Sequence, residues 1–247
     1  MIAVSIVSHG HGAMVSRLVE QVLACPEVGQ VIVTYNVPET FLVSTDERIE
    51  VIVNPLVRGF GANHNAAFLR IREPFWCVLN PDVELVENPF PVLLAALTND
   101  SVALAAPLII NSLGEVEDSI RYFPTPISLA SKFLGKDSSR YAVSAGAPDF
   151  SPEWVAGMFM LFQAHAFSGL KGFDERYFLY YEDVDICWRA WQAGFSVVAC
   201  PAVAAIHHAQ RASRVSWQHR RWHLASMLRF LSNSLWRRSR IAQLDGL

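Results

Sequence analysis

A chain of 247 residues can form one large α/β domain or two small ones, and with 52% hydrophobic and 17% charged residues it is globular and not disordered. Its net charge of −3 excludes a generally basic nucleic-acid binder, although Arg211 to Arg240 contains eight arginines and no acid. Cys25, Cys77, Cys187 and Cys200 form no C-x-x-C, and three of them lie in apolar runs, which points to reduced thiols of a cytosolic protein and away from a disulfide framework or a zinc site.

Residues 3–7 form a short apolar run that reads as a strand, too short and too quickly followed by polar residues to be a signal peptide. The loop Ser8-His9-Gly10-His11-Gly12 follows, and then Val15, Leu18, Val19, Val22 and Leu23 recur at helical spacing. Residues 31–33 and 49–53 are further strands, and 62–71 reads as a helix. Between them, Asn54-Pro55-Leu56-Val57-Arg58-Gly59-Phe60-Gly61-Ala62-Asn63 is a strand-to-helix turn whose glycines let backbone N–H groups approach a ligand. It is neither a P-loop nor a G-x-G-x-x-G, which argues against a dinucleotide-dependent oxidoreductase.

The strand expected at 75–79 runs into Asn80-Pro81-Asp82, where Pro81 cannot extend a ladder and Asp82 is delivered at the carboxyl end. A carboxylate there can hold a hard divalent cation, while an Asx-type turn explains the tripeptide without one. A helix over about 91–97 and a strand over 102–106 continue the alternation. The fold class is therefore α/β, a mainly parallel sheet with helices on both faces and ligands beyond the strands' carboxyl ends.

From 121 to 152 the pattern lapses into Pro, Ser, Gly and charge, with a short helix near 129–134, and is read as a surface loop or flap over the site. Residues 154–162 resume as an apolar strand interrupted by Gly157, and 195–199 is the last core strand. His207-His208 is expected in the loop after it, where post-strand placement favours a ligand-proximal role.

Tyr180-Tyr181-Glu182-Asp183-Val184-Asp185-Ile186-Cys187-Trp188-Arg189 sets three carboxylates at the start of a helix. Val184, Cys187, Trp188 and Trp191 form its apolar face, and Gly194 stands at its C-terminal cap. The helix dipole favours acids in a first turn, and Asp185 with Arg189 can pair on the helix surface. Neither explains why Glu182 and Asp183 follow Phe178-Leu179-Tyr180-Tyr181. These two are the catalytic candidates, with Asp183 as general base.

Taken together, N-x-x-x-x-G-F-G-A-N-x-N, L-N-P-D-V-E-L, W-V-A-G-M, G-F-D-E-x-Y-F-L-Y-Y-E-D-V-D-I-C-x-R and the following H-H resemble the GT-A glycosyltransferases of family 2, in their rhamnosyltransferase-like branch. The resemblance spans about residues 3–213. It implies an inverting transfer of a sugar, rhamnose or a related deoxyhexose, from a nucleoside-diphosphate sugar to a hydroxyl of a cell-surface or lipid-linked glycan. It implies Mg²⁺ or Mn²⁺ on Asp82 with His207. Ser8, His9, Gly10, Asn54, Gly59, Gly61, Asn63, Asn80 and Asp82 would face the donor, and Trp154, Gly157 and Met158 the donor sugar and acceptor. Where the family has Asp-Asn after its second strand, this chain has Thr34-Tyr35-Asn36, and Tyr35 can border or stack on a base but offers no carboxylate.

The division expected is 1–210 for the GT-A domain and 211–247 for a basic amphipathic helical tail. In that tail Leu224, Met227, Leu228, Leu231 and Leu235 form an apolar stripe beside Arg220, Arg221, Arg229, Arg237, Arg238 and Arg240. Two readings follow: a terminal helix packed on the domain, or an interfacial helix with Trp222 and Trp236 in an anionic bilayer, peripheral on the inner face of the plasma membrane. A catalytically inactive GT-A scaffold binding membrane through this tail is the alternative to an enzyme.

Overall fold

The computed structural model describes residues 1–39, 44–133, 139–208 and 217–244, with the side chains of 130, 132, 133 and 234–244 left out of the description. The elements are β1 (Ile2–Ser8), α1 (Ala13–Leu23), β2 (Val28–Tyr35), β3 (Ile49–Val53), α2 (Phe60–Phe68), β4 (Phe75–Leu79), β5 (Val83–Leu85), α3 (Phe90–Ala96) and β6 (Val102–Ile110). They continue with β7 (Ile120–Arg121), α4 (Pro126–Phe133), β8 (Trp154–Val155), β9 (Phe159–Gln163), α5 (Ala164–Gly169), α6 (Glu182–Gln192), β10 (Ser196–His207) and α7 (Trp217–Leu244).

Eight strands make one sheet in the order β3-β2-β1-β4-β9-β6-β10-β5. β1, β2, β3 and β4 are parallel neighbours, as are β6 and β10, while β9 runs antiparallel between β4 and β6 and β5 runs antiparallel along β10. Alternate side chains feed two cores. Val4, Ile6, Val31 and Leu79 pack against Val15, Leu18, Phe90 and Leu93 of α1 and α3. Ala3, Ile32, Trp76 and Val78 share the other core with Phe167, Val184, Cys187 and Phe230 from α5, α6 and α7. Burial on both faces is why the strands read as unbroken apolar runs. All four cysteines are buried and free.

Three expectations are corrected. The apolar run over 154–162 is two strands in different sheets, because Gly157 marks the departure of β8, which pairs with β7, from β9 in the main sheet. The last strand does not stop at 199. It shifts register between Cys200 and Ala204 and continues beside β6, so His207 lies in the ladder opposite Val83 and not in a following loop. The 121–152 excursion is partly anchored by β7, α4 and bridges from Arg121 to Arg140 and from Phe150 to Ala199, although Leu134 falls outside the described residues.

The described part of α7 packs on the domain, and of the expected stripe Met227 packs on the core. Ser226 and Phe230 are buried, whereas Leu224 and Leu228 are exposed. The seated face runs through His219, His223, Ser226 and Phe230, at helical spacing. Because two of these are histidines and one a serine, an apolar pattern does not reveal it. The side chains of Leu235, Trp236, Arg237, Arg238 and Arg240 lie outside the description. Among the described residues, no helix is long and apolar enough to cross a membrane.

Candidate active site

Helix α6 begins on an unusual turn. Tyr180 and Tyr181 both have positive φ, 71° and 69°, a left-handed conformation that costs a non-glycine residue about 1 kcal/mol or more. Tyr181 is the N-cap and supplies no side-chain cap hydrogen bond. Glu182 and Asp183 follow in the first turn, and at the far end Gly194 (φ +84°) gives the left-handed C-terminal stop.

Asp183 is held from two sides. The N–H of Gly157 donates to its Oδ2 at 3.0 Å, and that of Val184 to its Oδ1 at 2.8 Å. Burial raises its pKa while these two donors pull it down, and the net direction is upward. Glu182 is only 5% exposed and its Oε2 has no hydrogen-bond partner. Burial, reinforced by the Asp183 charge, pushes its carboxyl well above the ordinary value. Asp185 pairs with Arg189 at 2.6 Å, as the i,i+4 spacing suggested, but not on the surface: Asp185 is 2% exposed, and the guanidinium also donates to the carbonyls of Leu170 and Gly172. Asp185 is thereby committed to structure.

Both acids line a cavity of about 730 Å³ shared with Phe60, Asn80, Trp154, Gly157 and Tyr180. Arg121, Tyr122, Ser128 and Leu129 of the 121–152 excursion form one wall, and His223, Leu224 and Met227 of α7 another. The Trp154 indole is fixed by its N–H to the Tyr122 carbonyl at 3.0 Å. An ionisable carboxylate, a second carboxyl whose burial favours its neutral form, and aromatic walls suit a hydroxyl-bearing ring that must lose a proton.

Gly157 and Met158 join this cavity to the Asp82 loop. Met158 accepts from the Asn80 N–H at 2.9 Å, next to the residue that holds Asp183. Two residues beyond Asn80, Asp82 is 9% exposed, and its Oδ1 is buried without a partner. Its Oδ2 lies 3.4 Å from His207 Nε2, and His207 Nδ1 meets Glu117 Oε2 at 2.8 Å. Burial raises the Asp82 pKa, but the His207 hydrogen bond and charge outweigh it and hold the carboxyl below its ordinary value. For His207 burial lowers the pKa and contacts with Asp82 and Glu117 more than offset that. A carboxylate on the far ring nitrogen is the arrangement that orients a ligating imidazole. No group of three His, Cys, Asp or Glu converges on a metal position among the described residues. An orphaned carboxylate oxygen and one oriented imidazole fit a hard cation that takes its remaining ligands from a diphosphate and water. Glu117 was not singled out from the sequence, since it lies 90 residues from His207 in an unremarkable polar stretch.

The loops after β1, β2 and β3 are tied together by amides. Asn54 donates to Asn36 Oδ1 (2.8 Å) and Asn63 Oδ1 (2.6 Å), Asn36 accepts from the Arg58 N–H and donates to its carbonyl, and Asn63 donates to the Gly59 carbonyl. Asn54 and Asn63 therefore shape the loop, leaving Leu56, Val57 and Arg58 exposed. Gly59 and Gly61 have a reason other than ligand approach. A Cβ on Gly59 would stand 2.7 Å from the Phe178 carbonyl oxygen, and one on Gly61 2.7 Å from Phe173 Cβ. Ser8 is fully buried and its hydroxyl accepts from the His11 N–H, while His9 and Gly10 are exposed. Tyr35 corrects an expectation: at 2% exposure its ring packs in the core and has no face to offer a base.

No family model matches the chain. It is 29% identical over 245 residues to rhamnosyltransferase WbbL of Escherichia coli K12, covering 94% of this chain and 93% of that protein. That near full-length likeness supports a family 2, rhamnosyltransferase-like glycosyltransferase. Its sequence is also 34% identical over 140 residues to the N-acetylglucosaminyl-diphospho-decaprenol L-rhamnosyltransferase of Mycobacterium tuberculosis H37Rv, covering 53% of this chain and 46% of that one. Among solved structures, GalNAc-T7 with UDP, GalNAc and Mn²⁺ superposes with a TM-score of 0.64 at 17% identity, over 85% of the glycosyltransferase described here and 43% of GalNAc-T7. That likeness establishes the GT-A fold. The chain spans under half the length of the mycobacterial relative and of GalNAc-T7.

Proposed function

We propose that the protein transfers a sugar, rhamnose or a related deoxyhexose, from a nucleoside-diphosphate sugar to a hydroxyl of a cell-surface or lipid-linked glycan, with inversion. The observation that carries this is the Gly157-Met158 link, which couples the Asp183 cavity to the Asp82–His207 pair. Asp183 takes the acceptor proton as the acceptor oxygen attacks the anomeric carbon, opposite the leaving diphosphate. Its Gly157 and Val184 donors keep one lone-pair direction free for that proton and stop the carboxylate from rotating. Burial of Glu182 in the same wall favours its neutral form, which works against a second negative charge beside the base. Asp82 and His207 would hold Mg²⁺ or Mn²⁺, which supplies charge neutralisation for the departing diphosphate. The strand-end loops 8–12 and 54–59 would receive the nucleotide, and Trp154 would pack on a sugar face.

The relative named for a diphospho-decaprenol acceptor supports a lipid-linked substrate here. So does the cavity mouth: Leu224 at its rim is 53% exposed, and Trp217 and Leu228 on the same helix are 74% and 56% exposed beside exposed Arg220 and Arg221. This face would rest against an anionic membrane. The test is transfer from a panel of nucleoside-diphosphate sugars to a lipid-diphosphate-linked sugar, with Asp183→Asn in parallel. Transfer by the wild type alone supports the reading, and equal activity of the two sinks it.

A further inference from the structure

The turn that delivers the base is strained and uncapped, so something outside α6 must hold it. Helix α7 meets each of the five residues leading into it. Arg229 lies 6.0 Å over the Tyr177 ring, and Trp222 packs on Phe178 with ring centroids 4.7 Å apart. Ser226 Oγ donates to the Leu179 carbonyl at 3.0 Å, His219 Nδ1 meets the Tyr180 hydroxyl at 2.9 Å, and Tyr181 packs against His223 and Phe230 at 5.4 and 5.8 Å. The turn is also tied from outside α7, by the Phe60 N–H on the Phe178 carbonyl and by the Tyr177 N–H on the Asp174 carbonyl. A left-handed pair of tyrosines persists only where its surroundings over-determine it.

We infer that α7 belongs to the catalytic apparatus, with His219, Ser226 and Phe230 as positioning residues that hold 177–181, and through them Asp183, in the geometry transfer needs. This rests on the transferase reading above. The reach is short: Tyr181 is two residues from Asp183, and its carbonyl accepts the Asp185 N–H, so a shift in the turn moves the start of α6. What such a shift would loosen is the 3.0 Å bond from Gly157, which lies on a different element and cannot follow. A misplacement of this size at a base is costly for the chemical step while leaving remote binding contacts intact. The donor loops are built on β1, β2 and β3.

The full chain carrying His219→Ala with Ser226→Ala removes both hydrogen bonds from α7 to the turn and leaves Phe230 in the core. Expected is a kcat lowered about tenfold or more with donor KM and calorimetric donor Kd within about twofold of wild type. The acidic limb of the kcat profile should also move to higher pH, because Asp183 loses a donor that stabilises its charged form. The titratable and charged groups around that carboxylate are Glu182, Tyr181 and Cys187 on its own element and Arg121 and His223 across the cavity. Ser232→Ala, exposed on α7 and bonded only within the helix, should behave as wild type. Unchanged kcat, or kcat and donor affinity falling together with Tm, overturns the inference. A wild type that binds donor but transfers no sugar overturns instead the transferase reading.

Discussion

Gly157 donates its backbone N–H to Asp183 across 26 residues of sequence, and the atom that would be its Cβ stands 3.5 Å from the Asp183 Cβ. The base is therefore positioned by a backbone group on the segment between β8 and β9, a donor that point substitution of side chains leaves in place.

Replacing Asp183 by Asn keeps the shape but removes proton acceptance, and it turns one of the two oxygens that accept backbone N–H groups into an NH2 donor. Donor Kd should stay near wild type while transfer falls about 10²-fold or more. Asp185→Asn acts differently, since it breaks a buried ion pair with Arg189: Tm should fall, with activity lost in proportion to folded protein. Calorimetry, thermal melts and initial rates on the two variants separate these outcomes.

The raised pKa of Glu182 gives a stability signature. The folded state holds this proton above the ordinary value of 4.5, so the effect is absent well below that value and wild type loses stability as pH rises from it toward the folded-state pKa. Glu182→Gln removes that loss. Its Tm relative to wild type should therefore climb as pH rises above 4.5. Parallel Tm curves across that range would mean the buried carboxyl titrates normally.

For the Asp82–His207 pair, Asp82→Ala should abolish transfer at ordinary Mg²⁺ or Mn²⁺, and His207→Ala should raise the metal concentration needed without loss of fold. Glu117→Gln tests the outer contact and should weaken metal affinity about 10- to 100-fold. Full activity of the wild type in excess chelator would show a metal-independent enzyme.

Gly59→Ala places a methyl against the Phe178 carbonyl at 2.7 Å, a backbone atom that cannot rotate away. Urea unfolding should register a loss of about 1–3 kcal/mol. Gly169→Ala, with open space around the new methyl, should cost far less. A Gly59→Ala protein as stable as wild type would mean that the turn at Phe178 yields.

If α7 rests on a membrane, the protein should sediment with anionic liposomes at low salt and be released as salt shortens the Debye length to about 10 Å or less. Trp217→Ala with Leu228→Ala, both exposed, should weaken sedimentation without lowering Tm. Equal sedimentation with neutral liposomes would exclude the electrostatic part.

Local pattern determined a good deal. Apolar runs bounded by turn residues marked β3 and β4 to the residue, β4 because a strand buried on both faces is apolar throughout and the edge strand β3 because its β-branched residues favour an extended backbone, and the spacing of Val184, Cys187 and Trp188 defined α6. Asp82 and Asp183 were visible because each follows an element that cannot continue or opens one that prefers acids. Only tertiary structure decided which neighbours those carboxylates have. Glu117 meets His207, and Gly157 meets Asp183, through contacts between segments that share no periodicity. The burial of Tyr35 depends on α1 and α3 closing over the sheet, and the antiparallel insertion of β9 depends on which strand edges remain open. The seating of α7 belongs to the same class. Its contact face is built from His219, His223, Ser226 and Phe230, which hydrogen-bond and stack on the 177–181 turn, so hydrophobic spacing in the helix alone selects the leucines instead.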